Sequence, residues 1–126
     1  MVLPALENGE YAFELQVNIG ERLGTGRHNI DALATKDGQS FLISMKWQQT
    51  SGTAEQKVPF ELICLVEAME RGEYKKAYLV LGGEGWKPKL KALYTSGGLS
   101  EYIRGTEQVE ILTLEGFVAK ANQGKL

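Results

Sequence analysis

The sequence is poor in cysteine and histidine and has no excess of basic residues. One Cys and one His occur in 126 residues, and 14 Lys+Arg against 16 Asp+Glu give a formal net charge of -2. A lone cysteine cannot form an internal disulfide, which excludes a disulfide-stapled secreted scaffold. A protein that binds nucleic acid through bulk positive charge is disfavoured, so an anionic partner would have to be held by a local patch of cations.

Long hydrophobic runs and targeting signals are also missing. No apolar stretch approaches the roughly 20 residues of a membrane-spanning helix. The first ten residues contain Glu7 and Glu10 and no basic residue, so they do not form a signal peptide. Cys64 lies in the apolar run 62–66, which indicates a small buried side chain rather than a nucleophile. We therefore expect a soluble, cytoplasmic protein.

The composition predicts one folded unit. Hydrophobic residues make up 43% of the chain and charged residues 24%, which is typical of a globular protein. A chain of this length buries a substantial core but is short for two domains, so we expect a single domain over residues 1–126.

The first third of the sequence predicts three antiparallel strands. Tyr11 to Val17 alternates apolar and polar residues, which favours a half-buried strand. After a loop at 20–27, a second strand over about 28–35 places Ile30, Ala32 and Ala34 on one face and Asp31 on the other. Asp37-Gly38 is a strong hairpin signal, and a third strand over 40–47 follows.

The rest of the sequence alternates helices and strands. We predict no helix before residue 10, a helical turn at 53–57 and a main helix from about Pro59 to Arg71, because proline disrupts a helix interior. The remaining predicted elements are a strand at 76–81, short helices at 88–94 and 99–104, a strand at 109–112 and a helix at 114–121. A helix between two strands implies a parallel crossover, so the fold class is α/β, a mixed sheet flanked by helices.

A group of polar residues on the second and third strands could carry chemistry. Ser44, Lys46 and Gln48 share one face of a strand because alternate residues point the same way. The hairpin brings this strand beside Asp31, so a carboxylate and an ammonium would meet near the strand ends. A carboxylate can hold Mg²⁺ and a lysine can orient or deprotonate water, which is the chemistry of metal-dependent phosphodiester hydrolysis.

This arrangement resembles the PD-(D/E)XK nuclease superfamily. Asp31 is similar to the first Asp of that motif, and Ser44-Met45-Lys46 is similar to (D/E)-x-K with serine in place of the acid; the run continues through 52–57. The resemblance implies a restriction endonuclease-like fold and a DNA nuclease that uses Mg²⁺ or Mn²⁺, and we expect an endonuclease in preference to an exonuclease.

Serine at position 44 is a poor ligand for a hard cation, so the resemblance requires a second carboxylate. Some restriction enzymes of this superfamily look similar, with a Glu supplied by the following helix. Here Glu55 is the preferred acid, Glu61 the alternative, and Glu21 a further candidate. With Asp31 and Glu55 as metal ligands, the resemblance implies that Lys46 activates water and that Gln48 supports the substrate or the ligands.

Cations elsewhere could bind phosphates. The expected substrate-binding residues are Arg27, His28, Lys57, Lys87 and Lys89. Cleavage of both DNA strands would require a homodimer or a partner subunit, since one site cuts one strand. The alternatives are a catalytically inactive DNA-binding or subunit protein on the same fold, and an interaction domain without a nucleic-acid role.

Overall fold

The computed structural model describes residues 1–24 and 26–126; Thr25, in the predicted loop at 20–27, lies outside the described residues. The strands are β1 (Ala12–Glu21), β2 (Arg27–Lys36), β3 (Gln39–Trp47), β4 (Lys76–Gly82) and β5 (Val109–Thr113). The helices are α1 (Val2–Asn8), α2 (Ala54–Arg71), α3 (Pro88–Thr95) and α4 (Leu114–Asn122). The strands form one mixed sheet in sequence order, which confirms the predicted α/β class.

The sheet separates two layers of helices. β1, β2 and β3 are antiparallel neighbours, whereas β3, β4 and β5 run parallel. One apolar cluster packs α2 and α3 against the sheet through residues such as Leu62, Leu65 and Tyr94. The other packs α1 and α4 against the opposite face through Leu6 and Phe117. No helix in the described part of the chain is long and apolar enough to cross a membrane.

The absence of an N-terminal helix was predicted wrongly. α1 spans seven residues and buries Ala5 and Leu6, which join Phe117 and Ala121 of α4 in one apolar cluster. Pro4 is tolerated in the first helical turn because an N–H there has no helical partner. A helix this short is stabilised by packing rather than by its own sequence, and its partner helix lies at the other end of the chain.

The break predicted at Pro59 was also wrong, because α2 is continuous from Ala54 to Arg71 with Pro59 inside it. Proline has no N–H to donate to the carbonyl four residues earlier, which is that of Glu55. The hydroxyl of Tyr94 in α3 donates to this carbonyl at 2.8 Å. A tertiary hydrogen bond thus supplies the donor that the helix lacks.

One smaller expectation also differs. The region predicted as a helix at 99–104 contains instead a 3₁₀ turn, Gly98–Glu101. Gly97 and Gly105 flank it with φ of 80° and 78°, a left-handed conformation that suits glycine and interrupts an α-helix.

The sheet divides at Asp31. The β2–β3 ladder runs from Lys36–Gln39 to Ala32–Ile43; within the described residues, β2 then pairs with β1 and β3 with β4. Residues 17–21 and 27–30 form a two-stranded arm beyond this fork. Ile30 packs in the α2 cluster whereas Ala32 packs in the opposite one, so the prediction that they share a face was wrong. Gln16, between the residues paired with Ala32 and Ile30, has φ of 52°, so β1 is irregular beside the point at which the face changes.

Candidate functional site

Glu61 lies at the centre of a buried polar cluster. The Ser44 hydroxyl donates to Glu61 Oε2 at 2.7 Å, and His28 Nε2 lies 3.2 Å from the same oxygen. Arg22 approaches Glu61 Oε1 at 3.4 Å. Ser44, His28 and Glu61 are all buried. Buried carboxylates need charge or hydrogen-bond compensation, and Glu61 receives both.

The surroundings of Glu61 favour its ionised form. Burial alone would raise the pKa of Glu61, but the hydrogen bonds from His28 and Ser44 and the positive charge of Lys46 together lower it below its usual value. Glu61 is therefore a carboxylate at neutral pH, in a site where water competes little for its oxygens.

Three successive residues of β3 connect this carboxylate to a second one. Ser44 holds Glu61 through its hydroxyl, and the backbone N–H of Met45 donates to Asp31 Oδ2 at 2.7 Å. Lys46, the next residue, acts on Glu61 through its charge. This contact depends on the fork in the sheet. Where β2 separates from β3, the Asp31 side chain accepts the hydrogen bond of the Met45 N–H, in place of a backbone carbonyl of the neighbouring strand.

Glu55, the preferred acid, has a different set of contacts. Its carboxylate accepts a hydrogen bond from the backbone N–H of Lys87 at 2.6 Å, and its own N–H donates to Gln48 Oε1 at 3.3 Å. Gln48 Nε2 in turn donates to the Gly85 carbonyl at 2.8 Å. Glu55 and Gln48 thus hold the segment after β4 against the start of α2. The structure brings Glu61, not Glu55, into contact with the Ser-x-Lys strand.

The expected substrate-binding residues divide into two groups. Arg27, Lys57, Lys87 and Lys89 are exposed. His28 is fully buried against Glu61, so it is not at the surface with the other four, and its role in substrate binding stays a prediction. Glu21 is exposed, and its backbone carbonyl accepts a hydrogen bond from Arg71.

The donor set suits a hard divalent cation held in part by water. The described residues contain no group of three or more His, Cys, Asp or Glu side chains arranged to hold a metal. Two carboxylates, Asp31 and Glu61, are nevertheless held by adjacent residues of β3. Mg²⁺ is usually bound by one or two carboxylates, with water and substrate phosphate completing its shell. Asp31 and Glu61 therefore have the donor chemistry that such an ion takes.

The contacts of Glu61 with His28 and Arg22 were missed from the sequence. These residues are 33 and 39 positions away along the chain, and they meet Glu61 only because the arm folds over α2. The sequence signal that could have indicated Glu61 was Ser44, because a serine at this position of the motif requires a second carboxylate from another part of the chain.

Comparisons with known proteins support the fold and identify the family. A family model described as "PD-(D/E)XK nuclease superfamily domain" matches residues 2–125. No curated protein matches the chain.

A similar solved structure is titled "Crystal Structure of Protein of Unknown Function AF1548". It superposes with a TM-score of 0.54 at 12% identity, over 90% of this chain and 54% of that one. The chain thus spans about half the length of this neighbour, and the likeness at this identity concerns the fold. Because the family model covers nearly the whole sequence, the chain belongs to the PD-(D/E)XK nuclease superfamily.

Proposed function

We propose that this protein is a DNA nuclease that uses Mg²⁺ or Mn²⁺ and cuts within DNA chains. Membership of the PD-(D/E)XK superfamily suggests hydrolysis of phosphodiester bonds. The observation that carries the finer proposal is the order of contacts along β3: Ser44 to Glu61, Met45 to Asp31, and then Lys46.

The acid missing from position 44 is supplied by Glu61. A serine cannot serve as a carboxylate ligand, but its hydroxyl can hold a carboxylate that arrives from a helix. We therefore assign the second metal ligand to Glu61 in place of Glu55, whose carboxylate is engaged by the Lys87 N–H.

Each residue then has a distinct task. Asp31 and Glu61 would hold the divalent cation, which when bound polarises the scissile phosphate and stabilises the charge that develops on it. Lys46 orients the attacking water and the phosphate with its ammonium group. Ser44 and the Met45 N–H keep the two carboxylates in place, which reduces the reorganisation needed during reaction.

The exposed cations would supply the contacts to the DNA backbone. Arg27, Lys57, Lys87 and Lys89 are candidates for phosphate binding. We propose that residues 1–126 act as one nuclease domain. Cutting both strands would require a homodimer or a partner subunit.

The test is metal-dependent cleavage of plasmid and labelled linear DNA by purified variants. Asp31→Ala and Lys46→Ala should each abolish cleavage in Mg²⁺ and Mn²⁺ while circular dichroism remains unchanged. Lys75→Ala is the matched control. Lys75 is exposed and precedes β4, which runs parallel to β3, so it lies at the opposite end of these two strands from Lys46. Undiminished cleavage by folded Asp31→Ala or Lys46→Ala protein would refute the proposal.

A second candidate is a DNA-binding or subunit protein without catalysis. It is favoured by the contacts of Glu61, whose two oxygens already meet Arg22, His28 and Ser44. Binding of DNA without cleavage, and without heat on titration with Mg²⁺ or Mn²⁺, would establish it.

A further inference from the structure

Trp47 is an exposed aromatic residue directly after Lys46. It is the last residue of β3, and 58% of its surface is accessible to solvent. Its registered neighbour is Gly82, the last residue of β4. A Cβ added to Gly82 would lie 2.5 Å from Cε3 of Trp47, so the indole ring rests against bare backbone. One part of the ring is thereby supported by the protein while a large part faces solvent.

The backbone beneath this ring is firmly held. The N–H of Gln48 donates to the Gly82 carbonyl at 3.0 Å, and the N–H of Gly85 donates to the Gln48 carbonyl at 2.7 Å. The indole N–H of Trp86, which is buried, also donates to the Gly82 carbonyl at 2.8 Å. Trp47 therefore lies on a rigid support.

Exposed lysines in the segment after β4 and in α2 carry charge suited to a nucleic-acid strand. Lys87 follows the Gly82 segment, is exposed, and is fixed through its N–H to Glu55. Lys57 is exposed in the first turns of α2, two residues after Glu55. Proteins that bind single strands combine cations that follow the phosphates with aromatic rings that stack on bases. The exposed ring of Trp47 and these exposed lysines supply both kinds of group.

Resting on the proposed function, we propose that Trp47 stacks on an unpaired base of the substrate strand where this strand passes the ends of β3 and β4, and that the preferred substrate contains a single-stranded segment. In a duplex the faces of a base are covered by its neighbours, so a ring of this kind finds a partner only where the DNA is unpaired. Lys46 and Trp47 are adjacent at the end of β3 and point to opposite faces of the sheet. The stacked base therefore belongs to the part of the strand that passes from one face to the other around this end of the sheet.

Binding can be measured apart from cleavage. Fluorescence anisotropy of a labelled oligothymidylate of about 12 nucleotides, in EDTA and at low salt, gives the affinity without turnover. Trp47→Ala and Trp47→Leu should weaken binding about ten- to a hundredfold, whereas Trp47→Phe should retain most of the affinity. Tyr102→Ala is the control, because Tyr102 is 76% exposed and follows the 3₁₀ turn at Gly98–Glu101 rather than β3.

A spectroscopic measurement distinguishes stacking of a base on Trp47 from a role in which the Trp47 ring only covers the backbone at Gly82. The oligonucleotide should quench wild-type tryptophan emission, and the quenching should vanish in Trp47→Phe, which leaves Trp86 as the remaining tryptophan. Gly82→Ala should also weaken binding, because the added methyl group displaces the ring.

The outcomes separate this inference from the proposed function. If wild-type protein binds the oligonucleotide and Trp47→Ala binds equally well, stacking by Trp47 is refuted and nuclease function is untouched. If Trp47→Ala and Tyr102→Ala lose affinity equally, the specific role of Trp47 is likewise refuted. If wild-type protein binds neither single-stranded nor duplex DNA, the proposed function falls together with the inference.

Discussion

The Ser44 hydroxyl donates a 2.7 Å hydrogen bond to Glu61 Oε2 across 17 residues of sequence. Ser44 is similar to the strand acid of the superfamily motif, and its hydroxyl holds a carboxylate that α2 provides. In the site that we propose, Glu61 would serve in place of the strand acid.

The two glutamates of α2 provide the first prediction. Glu61→Gln should lower metal-dependent cleavage about a hundredfold or more, which corresponds to about 3 kcal/mol of lost transition-state stabilisation. Glu55→Gln should change cleavage by less than about tenfold and mainly lower the denaturation midpoint, because it weakens the bond to Lys87. Initial rates and urea midpoints of both variants test this prediction. If Glu55→Gln lowered the cleavage rate more than Glu61→Gln, the second metal ligand would be Glu55.

Moving the acid back to the strand provides the second prediction. Ser44→Asp combined with Glu61→Gln should recover at least about a tenth of the activity, since a carboxylate again lies beside Lys46. Ser44→Asp alone should destabilise the fold, because two buried carboxylates would then face each other. If the double variant cleaved DNA no faster than Glu61→Gln alone, an acid at position 44 would not replace the carboxylate of Glu61.

The third prediction concerns Pro59 and Tyr94. Tyr94→Phe removes the hydroxyl that satisfies the Glu55 carbonyl and should lower the free energy of unfolding by about 1–3 kcal/mol. In a Pro59→Ala background the loss should be smaller, because an alanine at this position supplies the missing helical N–H. Denaturant unfolding of the four proteins measures this coupling, and equal losses in both backgrounds would show that the hydroxyl does not replace that N–H.

The fourth prediction is a pH dependence at Glu110. Burial would raise the pKa of Glu110, but hydrogen bonds from Lys76 and Lys120 and their charges lower it below the usual 4.5. Its stabilising effect is therefore complete above pH 4.5 and is lost as the pH falls through the lower folded-state value. Glu110→Gln should reduce stability at neutral pH, with a deficit that shrinks in acid. A deficit independent of pH would exclude ionisation as its cause.

The fifth prediction concerns the single thiol. Burial, reinforced by the charge of Glu61, raises the pKa of Cys64 to about 11, and the side chain is fully buried. Native protein at pH 8 should react with a disulfide reagent far more slowly than protein in guanidinium, since the thiolate is the reactive form. Rapid stoichiometric labelling of the native state would show that this part of α2 opens readily.

Local sequence patterns predicted most of the sheet and the approximate bounds of the longer elements. Alternation defined the strand beginning at Tyr11, and the Asp37-Gly38 turn defined the hairpin between β2 and β3. Interactions between distant segments were beyond such patterns. α1 depends on packing against α4, and the continuity of α2 through Pro59 depends on Tyr94.

The candidate site was likewise predicted in part from local sequence patterns, and the rest depends on contacts between distant segments. Asp31 and Lys46 were predicted as site residues from their places on a hairpin and from the resemblance to the superfamily, and the serine at 44 led to the prediction of a second acid; these assignments stay predictions. Choosing between Glu55 and Glu61 required tertiary structure, because both lie on α2 and are buried. Their partners, the Lys87 N–H and the Ser44 hydroxyl, belong to different parts of the fold.

The two-stranded arm has a consequence for how the site responds to its ligands. Arg22 and His28 reach Glu61 from the arm and the loop at its tip, while Arg71 of α2 donates to the carbonyls of Ile19 and Glu21. The arm is thus fastened to α2 partly through the carboxylate that we assign to the cation. Because coupling between two binding events is reciprocal, a cation that competed with Arg22 and His28 for Glu61 would weaken the attachment of the arm to α2, and that attachment would weaken binding of the cation by the same factor.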